Sequence, residues 1–310
     1  MNHTLSSIIH KFPLPTLNNV PLKRFSTFGI GGPARHLSIL SSRKDTRLAL
    51  SFVHRYNIPF LILGHGSNCL FSDKGFEGII LLNKLKTISY DSQKHLLTVE
   101  SGYPFTALSK YCESKNLNNL EFAYGIPGTV GGAIFMNAGT GAYNVASVLV
   151  SATFLDKSGK EITLSKDELL FDYRKSFFQK HRNYFILSGV FSVAPVVETT
   201  CQSTAPVSLN KQRFLTQPYR EKSLGCIFRN PSGSKSAGQL IDECGCKGLT
   251  KGDAYVSSLH ANFIINKGQA RTEDVLDLIQ YIKTIVLEKT GTMLEEEVMI
   301  ISSTDPNVET

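Results

Sequence analysis

The sequence predicts an α+β chain in about three parts. Short apolar runs alternate with stretches of helical period through the first two hundred or so residues. Two glycine-rich loops, about sixty residues apart, interrupt that alternation. A long amphipathic helix followed by one more strand closes the pattern near the C-terminus.

Taken in order, Ala34 to Leu40 reads as a strand, and Asp45 is suited to cap a helix carrying Leu48, Ala49, Phe52, Val53 and Tyr56 on one face. Pro59 to Leu63 is a short apolar strand that delivers the first glycine loop, and Ile79 to Leu82 is another. A strand from Leu96 to Glu100 and a helix from Phe105 to about Lys115 precede the second glycine loop. After it come β-rich segments at Val148 to Leu155, Glu161 to Leu164 and Phe185 to Ala194. Val196 to Pro206 is loose and polar and reads as a linker, and Val207 to about Thr216 as a helix. Ala237 to Cys244 reads as a short helix and Ala261 to Ile265 as a strand. The clearest helix starts at Thr272 as its cap, with Glu273 and Asp274 at the positive dipole end. Val275, Ile279, Ile282 and Val286 form its apolar stripe, Gly291 ends it, and Val298 to Ile301 forms a last strand. No internal repeat or low-complexity tract is present.

At 310 residues and 42% hydrophobic content the chain can bury a large core. A net charge of +7 and a pI near 9.0 favour anionic partners. Lys and Arg do not cluster with interleaved aromatics, so no nucleic acid is expected. Six cysteines are too sparse for a disulfide scaffold and suit a reducing compartment. Cys244-Gly245-Cys246 has no second Cys/His pair at ligand spacing, so no metal is expected. The N-terminus lacks the charged and apolar regions of a signal peptide, and no run approaches about 18 apolar residues. The expectation is a cytoplasmic monomer with no membrane partner.

The glycine loops are Gly64-His65-Gly66-Ser67-Asn68 and Gly125-Ile126-Pro127-Gly128-Thr129-Val130-Gly131-Gly132-Ala133, the second extended by Asn137-Ala138-Gly139. Glycine adopts positive φ without a Cβ clash and lets backbone N–H groups approach an anion. Either loop alone reads as an ordinary turn, and neither fits the G-x-G-x-x-G or G-x-x-x-x-G-K-[ST] pattern. Together they point to a long ligand gripped along a diphosphate, for which a dinucleotide fits best.

Further segments extend the pattern: Phe25-Ser26-Thr27-Phe28-Gly29-Ile30-Gly31-Gly32, Asp172-Tyr173-Arg174-Lys175-Ser176, Gly225-Cys226-Ile227-Phe228-Arg229-Asn230-Pro231, His260-Ala261-Asn262-Phe263 and Glu297-Val298-Met299-Ile300-Ile301. In this order, from about Asn19 to Ser302, they resemble the UDP-N-acetylenolpyruvoylglucosamine reductase family, flavoenzymes of peptidoglycan precursor synthesis. The resemblance implies a two-subdomain FAD-binding fold of the vanillyl-alcohol oxidase type plus a C-terminal α+β substrate-binding domain. The implied division is 19–83 and 84–195 for the FAD-binding subdomains and 207–294 for the substrate domain. The strand 295–303 is expected to return near the first subdomain. The short interval after Arg174 suits the family's shorter class, which lacks an inserted tyrosine-bearing loop.

The resemblance also implies the chemistry. FAD is bound noncovalently against Gly64 to Asn68 and Gly125 to Ala133, with Ser67 and Asn68 able to donate to its phosphate; His65 is then a loop residue. NADPH supplies hydride to FAD, and reduced flavin passes it to the vinyl carbon of an enolpyruvyl ether. A developing enolate must be stabilised and the adjacent carbon protonated. Arg174 matches the family's enolate-stabilising arginine; by itself it reads as a strand-end arginine paired with a surface acid. Glu297 matches the family's glutamate; by itself Glu295-Glu296-Glu297 is a solvated charge run, with Glu295 and Glu297 on one face if the segment is a strand.

Cys226 departs from the commoner serine at the proton donor's position. A thiol with an ordinary pKa of about 8.5 is a better acid than an alcohol, so the reaction is preserved, while Cys226 that merely packs would leave water or Glu297 to supply the proton. For the nucleotide-sugar substrate, Asn230 matches a sugar-binding asparagine. Tyr219, Arg220, Lys222 and Arg229 surround the motif and can meet the diphosphate or face solvent. His260 reads as structural. Two other readings stay open: an FAD oxidoreductase of the same fold with a different substrate, and a non-catalytic nucleotide-binding protein.

Overall fold

In the computed structural model, which describes residues 8–196, 213–233 and 235–304, the first apolar runs form a four-stranded sheet. Its order is Leu17–Pro21, Pro33–Leu40, Phe76–Asn83 and Phe60–Leu63, antiparallel at the first junction and parallel at the other two. Parallel strands need a crossover, and the helix Arg43–Arg55 supplies it between Pro33–Leu40 and Phe60–Leu63. The cap of that helix is Ser42 and not Asp45: the Asp45 N–H donates to Ser42 Oγ at 3.1 Å. Asp45 instead contributes its charge within the first turn. The buried face is Thr46, Ala49, Leu50 and Val53, whereas Leu48 and Tyr56 are exposed, so the apolar stripe is rotated from the predicted one.

The second sheet is antiparallel throughout, in the order Glu161–Ser165, Leu149–Leu155, Phe185–Ser192, Leu96–Glu100 and Ile88–Asp91. Phe105–Ser114 and Val130–Met136 share its core with Phe122, Phe154, Phe178 and Phe191. A Cβ on Gly189 would lie 2.8 Å from Ile134 Cδ1, so only glycine lets the short helix approach this strand so closely. The two sheets also share a core, in which Leu40, Phe60 and Ile79 meet Leu155, Phe185 and Leu187. Arg43 spans the same junction, donating to Glu161 Oε1 at 2.8 Å and Ser188 Oγ at 2.9 Å.

A third cluster is built on Ala237–Glu243, Thr272–Thr290 and a small antiparallel sheet of Thr250–Lys251, Ala254–Val256 and Ile264–Asn266. The stripe Val275, Ile279, Ile282 and Val286 is buried there with Cys244 and Cys246. Thr272 does not cap its helix. It is the first helical residue; its hydroxyl donates to the Phe71 carbonyl at 2.6 Å and its N–H to Asp73 Oδ2 at 2.7 Å. Tertiary partners have taken over what the cap would do. The strand expected at Ala261 starts later, at Ile264, because Asn262 and Phe263 are occupied with the segment after Gly225. Met299–Ile301 pairs in parallel with Cys69–Phe71, returning the chain to the first glycine loop. The expected linker, apart from Val196, lies outside the described residues; of the expected helix after it, 213–216 are described and helical.

Candidate active site

The strand Phe60–Leu63 ends at Gly64, against the second glycine loop. A Cβ on Gly64 would lie 2.6 Å from Thr129 Oγ1, one on Gly128 would lie 2.9 Å from Ser67 Oγ, and Ser67 Oγ donates to the Pro127 carbonyl at 3.2 Å. The two loops are therefore in contact and wall a single cleft of about 670 Å³, a size typical of small-molecule sites, roughly 300–1,000 Å³. Gly66 has φ +59, and a Cβ there would overlap the Phe25 carbonyl oxygen. Gly66→Ala is expected to lose at least about 1–2 kcal/mol from backbone strain alone, and more from that overlap. Thermal unfolding and retained cofactor absorbance measure it; a wild-type midpoint would refute the constraint.

Beyond the glycine loops, three segments converge. Asp172 to Lys175 forms a turn, closed by the Lys175 N–H donating to the Asp172 carbonyl at 3.0 Å, with Arg174 at φ +54. The Arg174 guanidinium donates through Nε to Glu297 Oε1 at 2.8 Å, through Nη1 to the Asn137 carbonyl at 3.3 Å and through Nη2 to the Gly139 carbonyl at 2.9 Å. Glu297 is fixed by its own N–H, which donates to the Ile227 carbonyl at 2.7 Å, and by Asn68 Nδ2, which donates to the Glu297 carbonyl at 3.0 Å. Burial raises the Glu297 carboxyl above its ordinary range, opposed by the charges of Arg174 and Arg229.

Cys226 follows Gly225, which has φ +80, and starts an extended run stitched on both sides. On one side the Ile227 N–H donates to the Asn262 carbonyl, and the Asn262 side chain takes the Phe228 N–H at 2.9 Å and gives to the Phe228 carbonyl at 2.8 Å. On the other side the Arg229 N–H donates to the Glu295 carbonyl at 2.9 Å. Burial and the neighbouring Glu297 charge push the Cys226 thiol up to about 12, against Arg174 and Arg213, so it holds its proton at neutral pH.

Of the residues expected at the cofactor, Gly64, His65, Gly66, Ser67, Asn68, Gly125, Ile126, Pro127, Gly128, Thr129, Gly131, Gly132 and Ala133 line the cleft. Val130 does not; it is fully buried in the second core. Ser67 and Asn68 direct donors at protein carbonyls. Burial, then the charges of Lys84 and Lys86, keeps the His65 imidazole below its usual range and so neutral. Arg174, Cys226, Glu297 and Tyr219 line the same cleft.

Arg220, Lys222, Arg229 and Asn230 are not among its lining residues. Arg220 and Lys222 are exposed. Asn230 Oδ1 accepts from the Ala237 N–H at 3.0 Å, so its side chain serves a helix start. Arg229 Nε is buried with no hydrogen-bond partner among the described residues, and the Arg229 charge bears on Glu297. His260 is structural, its Nδ1 facing the Asn262 N–H at 3.3 Å. In the charge run, Glu296 pairs with Lys283 at 2.8 Å, Glu297 with Arg174, and Glu295 is exposed.

Sequence reasoning missed Arg182, Tyr184 and Arg213, which also line the cleft. The Arg213 guanidinium stands 5.6 Å from the Tyr219 ring centroid. No motif marks these three positions. Among the described residues no cluster of three or more His, Cys, Asp or Glu could hold a metal, and no helix is long and apolar enough to cross a membrane.

Residues 34–165 match the FAD binding domain family, and residues 217–301 match the C-terminal domain of UDP-N-acetylenolpyruvoylglucosamine reductase. The matched families and the cleft define an FAD-dependent oxidoreductase, with a two-part FAD-binding fold and a further α+β unit. The reductase of Chlamydia muridarum (strain MoPn / Nigg) is 48% identical over 290 residues, 94% of this chain and 96% of the relative. That of Chlamydia abortus (strain DSM 27085 / S26/3) is 43% identical over 296 residues, 96% and 98% of the two chains. The crystal structure of the reductase from Thermus caldophilus superposes with a TM-score of 0.77 at 33% identity, covering 93% of this chain and 98% of that one. This chain belongs to the UDP-N-acetylenolpyruvoylglucosamine reductase family.

Proposed function

We propose that the protein reduces UDP-N-acetylenolpyruvoylglucosamine to UDP-N-acetylmuramate, using NADPH and FAD, in peptidoglycan precursor synthesis. One observation carries the reading. Arg174, Cys226 and Glu297, from three distant segments, line one cleft with two glycine loops so closely apposed that Gly64 and Gly128 have no room for a Cβ. These loops suit FAD: the glycine-rich backbone of Gly64 to Asn68 and Gly125 to Ala133, apart from the buried Val130, would hold it. When bound, FAD would supply two-electron hydride chemistry between NADPH and the enolpyruvyl ether.

The chain's residues meet the two remaining demands. The Arg174 guanidinium, its orientation fixed by three bonds, has N–H groups left over for the substrate carboxylate as it takes on enolate charge. Cys226 Sγ keeps a proton that the basic carbon of an enolate readily takes. Glu297 balances Arg174 and, with its carboxyl raised, is suited to return a proton to the thiolate. Tyr219 and Arg213 are the polar groups we assign to substrate anchoring.

We further assign FAD binding to 19–83 and 84–195, with 295–303 returning to the first, and substrate binding to 207–294. We take the protein to act as a cytoplasmic monomer, which free cysteines at 69, 112, 226, 244 and 246 support for the compartment; light scattering tests the monomer.

The test of function is a visible spectrum. The purified protein is expected to be yellow, to bleach with anaerobic NADPH and to regain its colour when UDP-N-acetylenolpyruvoylglucosamine is added. Bleaching without recovery would reject the substrate, and a colourless protein that takes up no FAD would reject the whole reading.

A further inference from the structure

We propose that Asn137 is a positioning residue for Arg174, its side-chain amide holding the Asp172–Lys175 turn so that the guanidinium reaches the reacting end of the cleft. The inference rests on the role given to Arg174 above. Asn137 is buried and is absent from the cleft lining, so it acts through another residue. It ends the helix Val130–Met136 in the left-handed conformation, at φ +44. Nδ2 donates to the Asp172 carbonyl at 3.0 Å, Oδ1 accepts from the Ala146 N–H at 3.0 Å, and its own carbonyl accepts from Arg174 Nη1 at 3.3 Å. One residue thus grips the turn by its backbone and the arginine by its guanidinium.

The turn needs such a grip. Left-handed φ is strained at an arginine and persists only where neighbours over-determine it. Gln179, on the short helix Phe177–Lys180, adds a second tie to the same helix end, its Nε2 donating to the Arg174 carbonyl at 2.8 Å and to the Phe135 carbonyl at 3.1 Å. Asparagine suits position 137 because it tolerates left-handed φ and presents a donor and an acceptor together. Glycine keeps the conformation and loses both groups; aspartate keeps the acceptor for Ala146 and loses the donor to Asp172.

The experiment compares Asn137→Gly, Asn137→Asp and Arg174→Ala by anaerobic stopped flow, with rates per bound flavin so that partial loss of folded protein does not mimic the effect. NADPH reduces the flavin, and UDP-N-acetylenolpyruvoylglucosamine is then mixed in. Both Asn137 variants are expected to keep NADPH-driven reduction and to slow reoxidation on the order of 100-fold, in kcat more than in KM.

A second readout separates positioning from general loss of structure. Glu297 is faced by Arg174, Arg229 and the Cys226 thiol, with the Lys283–Glu296 pair beside it. Loosening Arg174 removes the charge that holds the Glu297 carboxyl down. The limb of the reoxidation pH profile that follows Glu297 therefore moves to higher pH in both variants. Wild-type reoxidation in both Asn137 variants with slow Arg174→Ala would overturn the inference alone. A slow glycine variant with a wild-type aspartate variant would also overturn it, since the donor to Asp172 would not matter. Wild-type reoxidation in Arg174→Ala would instead reject the role of Arg174 itself.

Discussion

Cys226→Ala is expected to give a protein that NADPH still bleaches but that the enolpyruvyl substrate reoxidises about 10²–10⁴-fold more slowly, the range for a lost general acid. The half-buried thiol, pushed up to about 12 by desolvation and the Glu297 charge, keeps a proton for the reacting carbon across the neutral range. Alanine has none to give. Cys226→Ser puts a proton-bearing hydroxyl in the place of the thiol and is expected to remain active. Stopped-flow reoxidation separates these outcomes, and a wild-type rate in the alanine variant would remove Cys226 from the chemistry. The pH profile adds a sign. A thiol pushed up to about 12 does not ionise near neutrality, so no alkaline loss from Cys226 is expected at pH values well below 12. A loss near the ordinary thiol range would mean that the thiol is not shielded as the structure has it.

Arg174→Ala is expected to slow reoxidation about 10²–10³-fold, the usual cost of removing a donor aimed at developing negative charge. Arg174→Lys is expected to recover little, because an ammonium cannot keep the planar set of bonds to Glu297, Asn137 and Gly139 while also meeting a carboxylate. Stability changes with it. Breaking a fully buried pair costs about 3–5 kcal/mol, and the side chains of this pair are 19% and 17% exposed, so less is expected here. Burial already raises the Glu297 carboxyl, and losing Arg174 raises it further. A carboxyl raised on folding contributes stability below its unfolded pKa and loses it as pH rises through the folded one. The variant's deficit is therefore largest at neutral pH and shrinks toward acid. Melting temperatures at both pH values test this, and a deficit independent of pH would show that Glu297 is not the group left unpaired.

Backbone chemistry was the legible part. The glycine loops could be recognised as a pair because close approach and positive φ demand glycine whatever the surroundings, as at Gly64 and Gly66. The stripe Val275, Ile279, Ile282 and Val286 could be read because a helix repeats at a fixed period. Caps were less legible. Ser42 and Asp45 already carry capping-box spacing, a signal available in the sequence, whereas Thr272 is claimed by Phe71 and Asp73 from a distant segment. The convergence of Arg174, Cys226 and Glu297 was legible only through resemblance, since no local rule brings three such segments together. Asn68 and Asn137 were hidden for the same reason. Each looks like a turn residue, and its use becomes visible only when the carbonyl it grips, on Glu297 or on Asp172, is known.

The parallel pairing of Met299–Ile301 with Cys69–Phe71 bears on how the molecule is made. Asn68 and Glu297 are separated by 229 residues, so the bond between them closes a loop through most of the chain. Contacts of such high sequence separation are entropically costly to form and are favoured late in folding. The first glycine loop and Glu297 are thus expected to be completed together, late in folding. Glu297 lies two residues before that strand and Asn68 one residue before its partner, so a species in which the last strand has peeled away loses the carboxylate that orients Arg174 and part of the cleft lining together.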